Sequence, residues 1–198
     1  MVDELPGLSI VNACLRLMGE TALASEQEYH EYLGNIQALY SKASRDLQVR
    51  GWWFNTEERT LEPQADGIIA VPNDVLSVLP TRQIQGAFAV RGRALYDTAN
   101  GTNVFTTAHR VRLVLNVPLE DLPYSAFSYV REQTVFRFAT DFEADNAKIQ
   151  NAERAAKQAY GEMHAEHIRA TRANAADSVY AIQRLRGMRG YTTIRSIV

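Results

Sequence analysis

The sequence predicts an α+β protein: mainly a bundle of four helices, with a small antiparallel β-module inserted after the second helix and an extended C-terminal arm. Three observations predict it. Apolar residues recur at steps of three and four on both flanks of the chain, the stretch 52–117 breaks into short β-favouring runs separated by turn signals, and 179–198 loses apolar periodicity. The expected organisation is a bundle from 1–51 and 118–178, an inserted β-module at 52–117 and an arm at 179–198.

The first helix is read from Leu8, Val11, Leu15 and Met18, with Gly19 as its stop. The second is expected over Glu26 to Arg50. There Tyr29, Tyr32, Leu33, Ile36, Leu39, Tyr40, Ala43 and Leu47 line one stripe, Ser25 and Glu28 form a capping box, and Gly51 closes the end. Strands are expected in Trp52 to Leu61 and in the runs GIIAVP, GAFAVRGRALYD and HRVRLVLNVP. Helical spacing returns after Pro118 with Tyr124, Phe127, Val130, Thr134 and Phe138. It continues in an Ala-rich helix from about Glu143 to Ala176, whose narrow stripe is Ala144, Ala147, Ala152, Ala155, Ala156, Ala159 and Met163.

With 198 residues, 46% of them hydrophobic, the chain can bury a proper core. Lys and Arg (21) nearly balance Asp and Glu (23), so the net charge of −2 gives no global attraction to nucleic acid or to an anionic membrane. Cys14 is the only cysteine, which excludes an intramolecular disulfide and a Cys-based zinc site. The N-terminal stretch begins with acids and its apolar positions are interrupted by Asn12, Arg16 and Glu20, so it reads as neither signal peptide nor membrane span.

Motifs for catalysis are sparse. No nucleophile elbow, Walker loop or Gly-x-Gly-x-x-Gly occurs. His164 and His167 lie three apart on a helix beside Glu162 and Glu166, a spacing that can bring two imidazoles to one metal but equally suits a solvated face. Glu57 with Glu58 and Glu120 with Asp121 are adjacent carboxylates. Glycoside cleavage needs two carboxylates facing each other at about 5 to 9 Å, and neighbours on a strand point apart. No catalytic residue, metal ligand or cofactor site is therefore assigned.

The stretch RGWWFN carries both tryptophans. Gly51, Trp52, Phe54 and Asn55 stand where the second helix gives way to the first strand and are read as a fold junction. Strand alternation puts Trp52 and Phe54 on one face and Trp53 on the other. Trp53 is the candidate for a partly exposed anchor at a subunit interface, where aromatic residues are enriched. In the arm no acidic residue follows Asp177. Arg184, Arg186, Arg189 and Arg195 carry charge, while Tyr191, Ile194, Ile197 and Val198 make a β-favouring end suited to a partner's surface.

Chain order and junction together resemble the tail tubular protein A family of short-tailed phages. The likeness falls on Asn12, Leu15, Gly19 and Glu20, then on Leu47, Gly51, Trp52, Phe54 and Asn55, and it extends over about residues 8 to 190. The resemblance implies a structural, non-enzymatic head-to-tail adaptor. Such a protein forms a twelve-membered ring between the portal of the head and the tail nozzle, tail tubular protein B, with DNA passing through the channel without sequence-specific binding. It also implies that the C-terminal segment, with Arg184, Arg186, Arg189, Tyr191 and Arg195, reaches toward the portal. The implied location is the virion tail, reached through assembly in the host cytoplasm. The near-neutral charge suits a conduit, since a strongly basic channel would hold DNA. A tail-associated polysaccharide or peptidoglycan hydrolase is the alternative, and a DNA-binding helical module, supported only by the C-terminal arginines, is weaker still.

Overall fold

A computed structural model of the protein describes residues 5–80 and 88–176. The fold is α+β. Its helices are α1 (Pro6–Met18), α2 (Leu33–Gln48), α3 (Tyr124–Asp141) and α4 (Asn146–Ala176). Between α2 and α3 come β1 (Thr56–Leu61), β2 (Val75–Pro80), β3 (Phe88–Arg91), β4 (Ala94–Asp97), β5 (His109–Leu115) and a 3-10 turn at Leu119–Asp121. The arm at 179–198, with its arginines and Tyr191, lies outside the described residues.

α1 opens on Pro6, tolerated where the backbone N–H has no helical partner, and closes on Gly19 in the left-handed region (φ +87°). There the Glu20 N–H reaches the Leu15 carbonyl at 2.9 Å, which satisfies an otherwise orphan acceptor. α2 starts seven residues later than the expected Glu26. Ser25 and Glu28 do engage local N–H groups, of Gln27 and Ala24, but they build a turn and not a helix start. The reason is burial: Tyr29, placed in the apolar stripe by its spacing, is 92% exposed, so this stretch offers no face to pack. The helix begins where Tyr32 reaches Phe138 and Phe142, with ring centroids 5.6 and 5.0 Å apart.

α3 is the central helix, packing against α1, α2 and α4. Phe138, Val130 and Ala126 are fully buried there with Ile10, Val11, Leu15, Ile36 and Met163, and each large side chain withdrawn from water stabilises the fold by roughly 1.5–3 kcal/mol. Glu143 takes a left-handed conformation (φ +51°), so α4 begins at Asn146 and not at Glu143. Ala152, Ala156, Ala159 and Met163 form its buried stripe, Ala155 is half-buried and Ala147 is exposed.

β5 is the middle strand of a three-stranded antiparallel sheet ordered β1-β5-β2. β2 was not foreseen as a strand, and its lead-in Pro-Asn-Asp explains why, because those residues signal a turn. Conversely, GIIAVP forms only isolated bridges at Ile68 and Ala70. Within the expected β-favouring run GAFAVRGRALYD, the described residues form a hairpin of β3 and β4, turning on Gly92 (φ +55°) and Arg93 (φ +62°), the pair of positive φ values that a tight hairpin of this hand needs. One sheet face, with Leu61, Val78, Val111 and Leu113, packs with Ile69, Leu95 and Phe105 into a second core. The opposite face carries the register row Glu58, Arg112 and Leu79.

Candidate functional site: the helix–sheet junction

The segment from Arg50 to Asn55 turns the chain out of α2 and into the sheet. Gly51 permits this with φ +74°, and an added Cβ there would sit 3.2 Å from the Val114 side chain. The backbone then turns through Trp53–Asn55, so strand alternation does not apply to the aromatic triplet. Trp52 is buried (4% exposed), whereas Trp53 and Phe54 are both half-buried with edge-to-face rings 5.1 Å apart. The expectation that Trp52 and Phe54 share a strand face fails because β1 starts only at Thr56.

Asn55 organises the turn. Its Oδ1 accepts from the Trp52 N–H at 2.7 Å, and its Nδ2 donates to the carbonyls of Gln48 at 2.9 Å and Leu115 at 2.8 Å. The Leu115 N–H donates back to the Asn55 carbonyl at 2.8 Å. Trp52 Nε1 donates to the Leu47 carbonyl at 2.8 Å, which ties the indole to the end of α2. Gln48, fully buried, completes the knot by clasping Val117 on the way out of the sheet. Sequence reading missed Gln48. A lone glutamine near a helix end looks like surface, and no pattern marks it as a buried crosslink.

The Trp52 ring meets α4 edge-on, with Tyr160, His164 and His167 at 6.2, 6.3 and 5.2 Å. His167 also touches Trp53 at 5.9 Å, and burial, followed by the neighbouring His164, holds its pKa below the usual histidine value. The two histidines are therefore ring partners of the junction. Among the described residues no cluster of three or more His, Cys, Asp or Glu side chains is placed to hold a metal ion.

Beside the junction lies a cleft of about 770 Å³ lined by Arg50, Trp53, Glu58, Leu79, Arg112 and Thr171 among others. Trp53 forms part of its wall. The neighbouring carboxylates are engaged: Glu57 pairs with Arg59, and Glu58 pairs with Arg110 at 2.8 Å and Arg112 at 3.3 Å. Successive residues of β1 face opposite sides of the sheet, so Glu57 and Glu58 do not face each other across one bond. Among the described residues no helix is long and apolar enough to cross a membrane.

The fold is a set of four helices interrupted by an antiparallel β-module, joined at an Asn- and Trp-centred turn. The chain belongs to the tail tubular protein family, whose sequence profile matches residues 8–176. It is thus a structural protein of the phage tail. It is similar to the tail tubular protein A of Klebsiella phage KP34, with 27% identity over 183 residues that cover 91% of this chain and 98% of that protein.

Proposed function

We propose that the protein is a head-to-tail adaptor that assembles as a closed ring, joins the portal to the tail nozzle and lines the passage for DNA. The observation that supports this most is family membership, together with similarity to a tail tubular protein A along nearly the full length of both chains. Assembly takes place in the host cytoplasm before the protein is carried in the virion tail. A closed ring of heterologous contacts needs two different complementary faces on each subunit. Trp53, half-buried on a cleft wall, serves one of them, and Arg184, Arg186, Arg189, Tyr191 and Arg195 of the arm serve the portal. The role is non-enzymatic, and no cofactor is required.

The test is electron microscopy of the purified protein mixed with its portal. The expected result is rings seated on the portal. Protein that remains monomeric and unattached at micromolar concentration would overturn the reading, and so would release of reducing sugar from a host glycan that a Glu57→Gln or Glu58→Gln variant abolishes, which would favour a hydrolase.

A further inference from the structure

A groove between the end of α2 and the outer sides of α3 and α4 forms a second concave surface. It consists of two hollows of about 410 and 340 Å³ that share Arg50, Tyr129, Gln133 and Tyr160. The acidic groups lining them already have counter-ions. Asp46 is held by Lys42 at 3.3 Å and Arg137 at 3.0 Å, and Glu153 by Lys157 at 2.5 Å. Burial pushes the Asp46 carboxyl up, but the hydrogen bonds from Arg137 and Lys42 outweigh it and hold the group below its usual range.

The donors are in surplus. Arg50 makes no ion pair among the described residues. Arg137, by contrast, is already paired with Asp46, and its Nη1 is sealed from solvent. Both guanidinium groups act on the Tyr129 hydroxyl: burial raises its pKa and the two arginines oppose the rise. The Arg50 guanidinium, with the tyrosines Tyr129 and Tyr160 and the Gln133 amide around it, matches a carboxylate, which accepts several hydrogen bonds at once.

We propose that this groove receives an Asp or Glu side chain from a neighbouring copy of the chain, an inference that rests on the ring reading. The hollows have room for a side chain but not for duplex DNA, whose continuous polyanion would also meet Asp46 and Glu153. The complementary groups are present on the same molecule. Glu120 and Asp121 are exposed, form no ion pair among the described residues, and sit on the 3-10 turn that packs against α1, outside the residues that line the groove.

The experiment compares wild type, Arg50→Glu and Gln133→Leu by sedimentation velocity, alone and with portal, alongside thermal melts. The expected result is wild-type melting with ring assembly weakened about tenfold or more in Arg50→Glu and less in Gln133→Leu. Adding Glu120→Arg or Asp121→Arg to the Arg50→Glu chain is expected to restore assembly. Wild-type assembly by Arg50→Glu would overturn the proposal and leave the ring reading intact, and failure of both reversals to restore rings would overturn the assignment of those carboxylates. A wild type that forms no ring even with portal would overturn the ring reading itself. Loss of duplex binding in Arg50→Glu with rings intact would assign the groove to phosphate instead.

Discussion

Gln48 and Val117, 69 residues apart in sequence, exchange two hydrogen bonds: the amide Nε2 donates to the Val117 carbonyl at 2.9 Å, and the Val117 N–H donates to Oε1 at 2.7 Å. A primary amide does both at once from one planar group, with its donor and acceptor fixed on separate atoms. Gln48→Glu keeps the acceptor but turns the donor into a second acceptor facing a carbonyl, and Gln48→Leu loses both. Each is expected to lower stability by about 2–4 kcal/mol, with Asn55→Ala in the same range. Urea denaturation measures this, and a loss under about 0.5 kcal/mol for Gln48→Leu would show that the clasp contributes little.

Trp52 and Trp53 are expected to differ in kind. Trp52→Ala empties a buried site beside Tyr160 and His167 and takes the indole donor from the Leu47 carbonyl, for a loss of about 3–5 kcal/mol. Trp53→Ala exposes a cleft wall and is expected to cost about 1 kcal/mol or less while weakening ring assembly. Melts and sedimentation on both variants decide it. Equal losses of stability, with assembly intact in each folded variant, would reduce both residues to core.

Cys14 is buried in α1, and burial, with Glu132 adding and Arg131 opposing, pushes its thiol from 9.0 up to about 12. The protonated thiol is a poor nucleophile, so iodoacetamide at pH 8 is expected to leave the native protein unlabelled and to modify it promptly in denaturant. The unfolded thiol ionises above about pH 9 while the native one does not. Stability should therefore fall as pH rises from 9 toward 12. Stoichiometric labelling of native protein within minutes would contradict this.

Asp97 closes the loop after β4. The backbone N–H of Asn100 and then its side-chain amide, with the Ala99 N–H, hold the carboxyl below its usual range against a smaller opposing effect of burial. The folded pKa is depressed, so the stabilisation is present above about pH 4 and lost as pH falls through the folded value. Asp97→Ala is expected to melt lower than wild type at pH 7 and to converge with it at pH 2–3. Parallel pH profiles for the two proteins would show that the carboxylate carries no linkage.

Deleting residues 180–198 is expected to leave the melting temperature almost unchanged and to weaken attachment to the portal, with added salt reproducing part of the loss. Wild-type attachment by the truncated protein, or its failure to fold, would contradict this role for the arm.

Long periodic elements were legible because repeated apolar spacing reports burial directly. α1, α3, most of α4, the β3–β4 hairpin and β5 lie where patterning puts them. The start of α2 was misread because Ser25 and Glu28 form capping contacts with or without a helix behind them, and only tertiary packing decides. β2 escaped because its lead-in Pro-Asn-Asp reads as a turn and its partner, β5, lies far along the chain. In the site, Gly51, Trp52 and Asn55 could be picked out as unusual residues at a change of period. Gln48 could not, since its role depends on a carbonyl and an N–H brought back by the fold, and neither could the groove around Arg50 and Arg137, which draws on three helices.

The paired connections have a mechanical consequence. A module hung on two free strands would pivot on them like a flag, absorbing any push as rotation. Here the outgoing strand at Asn55 and the returning one at Leu115–Val117 are clamped side by side to the end of α2. Torque applied to the sheet thus passes into α2 and, through Trp52, onto α4, so the joint resists twist although the turn at Trp53–Asn55 and residues 116–117 lack regular structure.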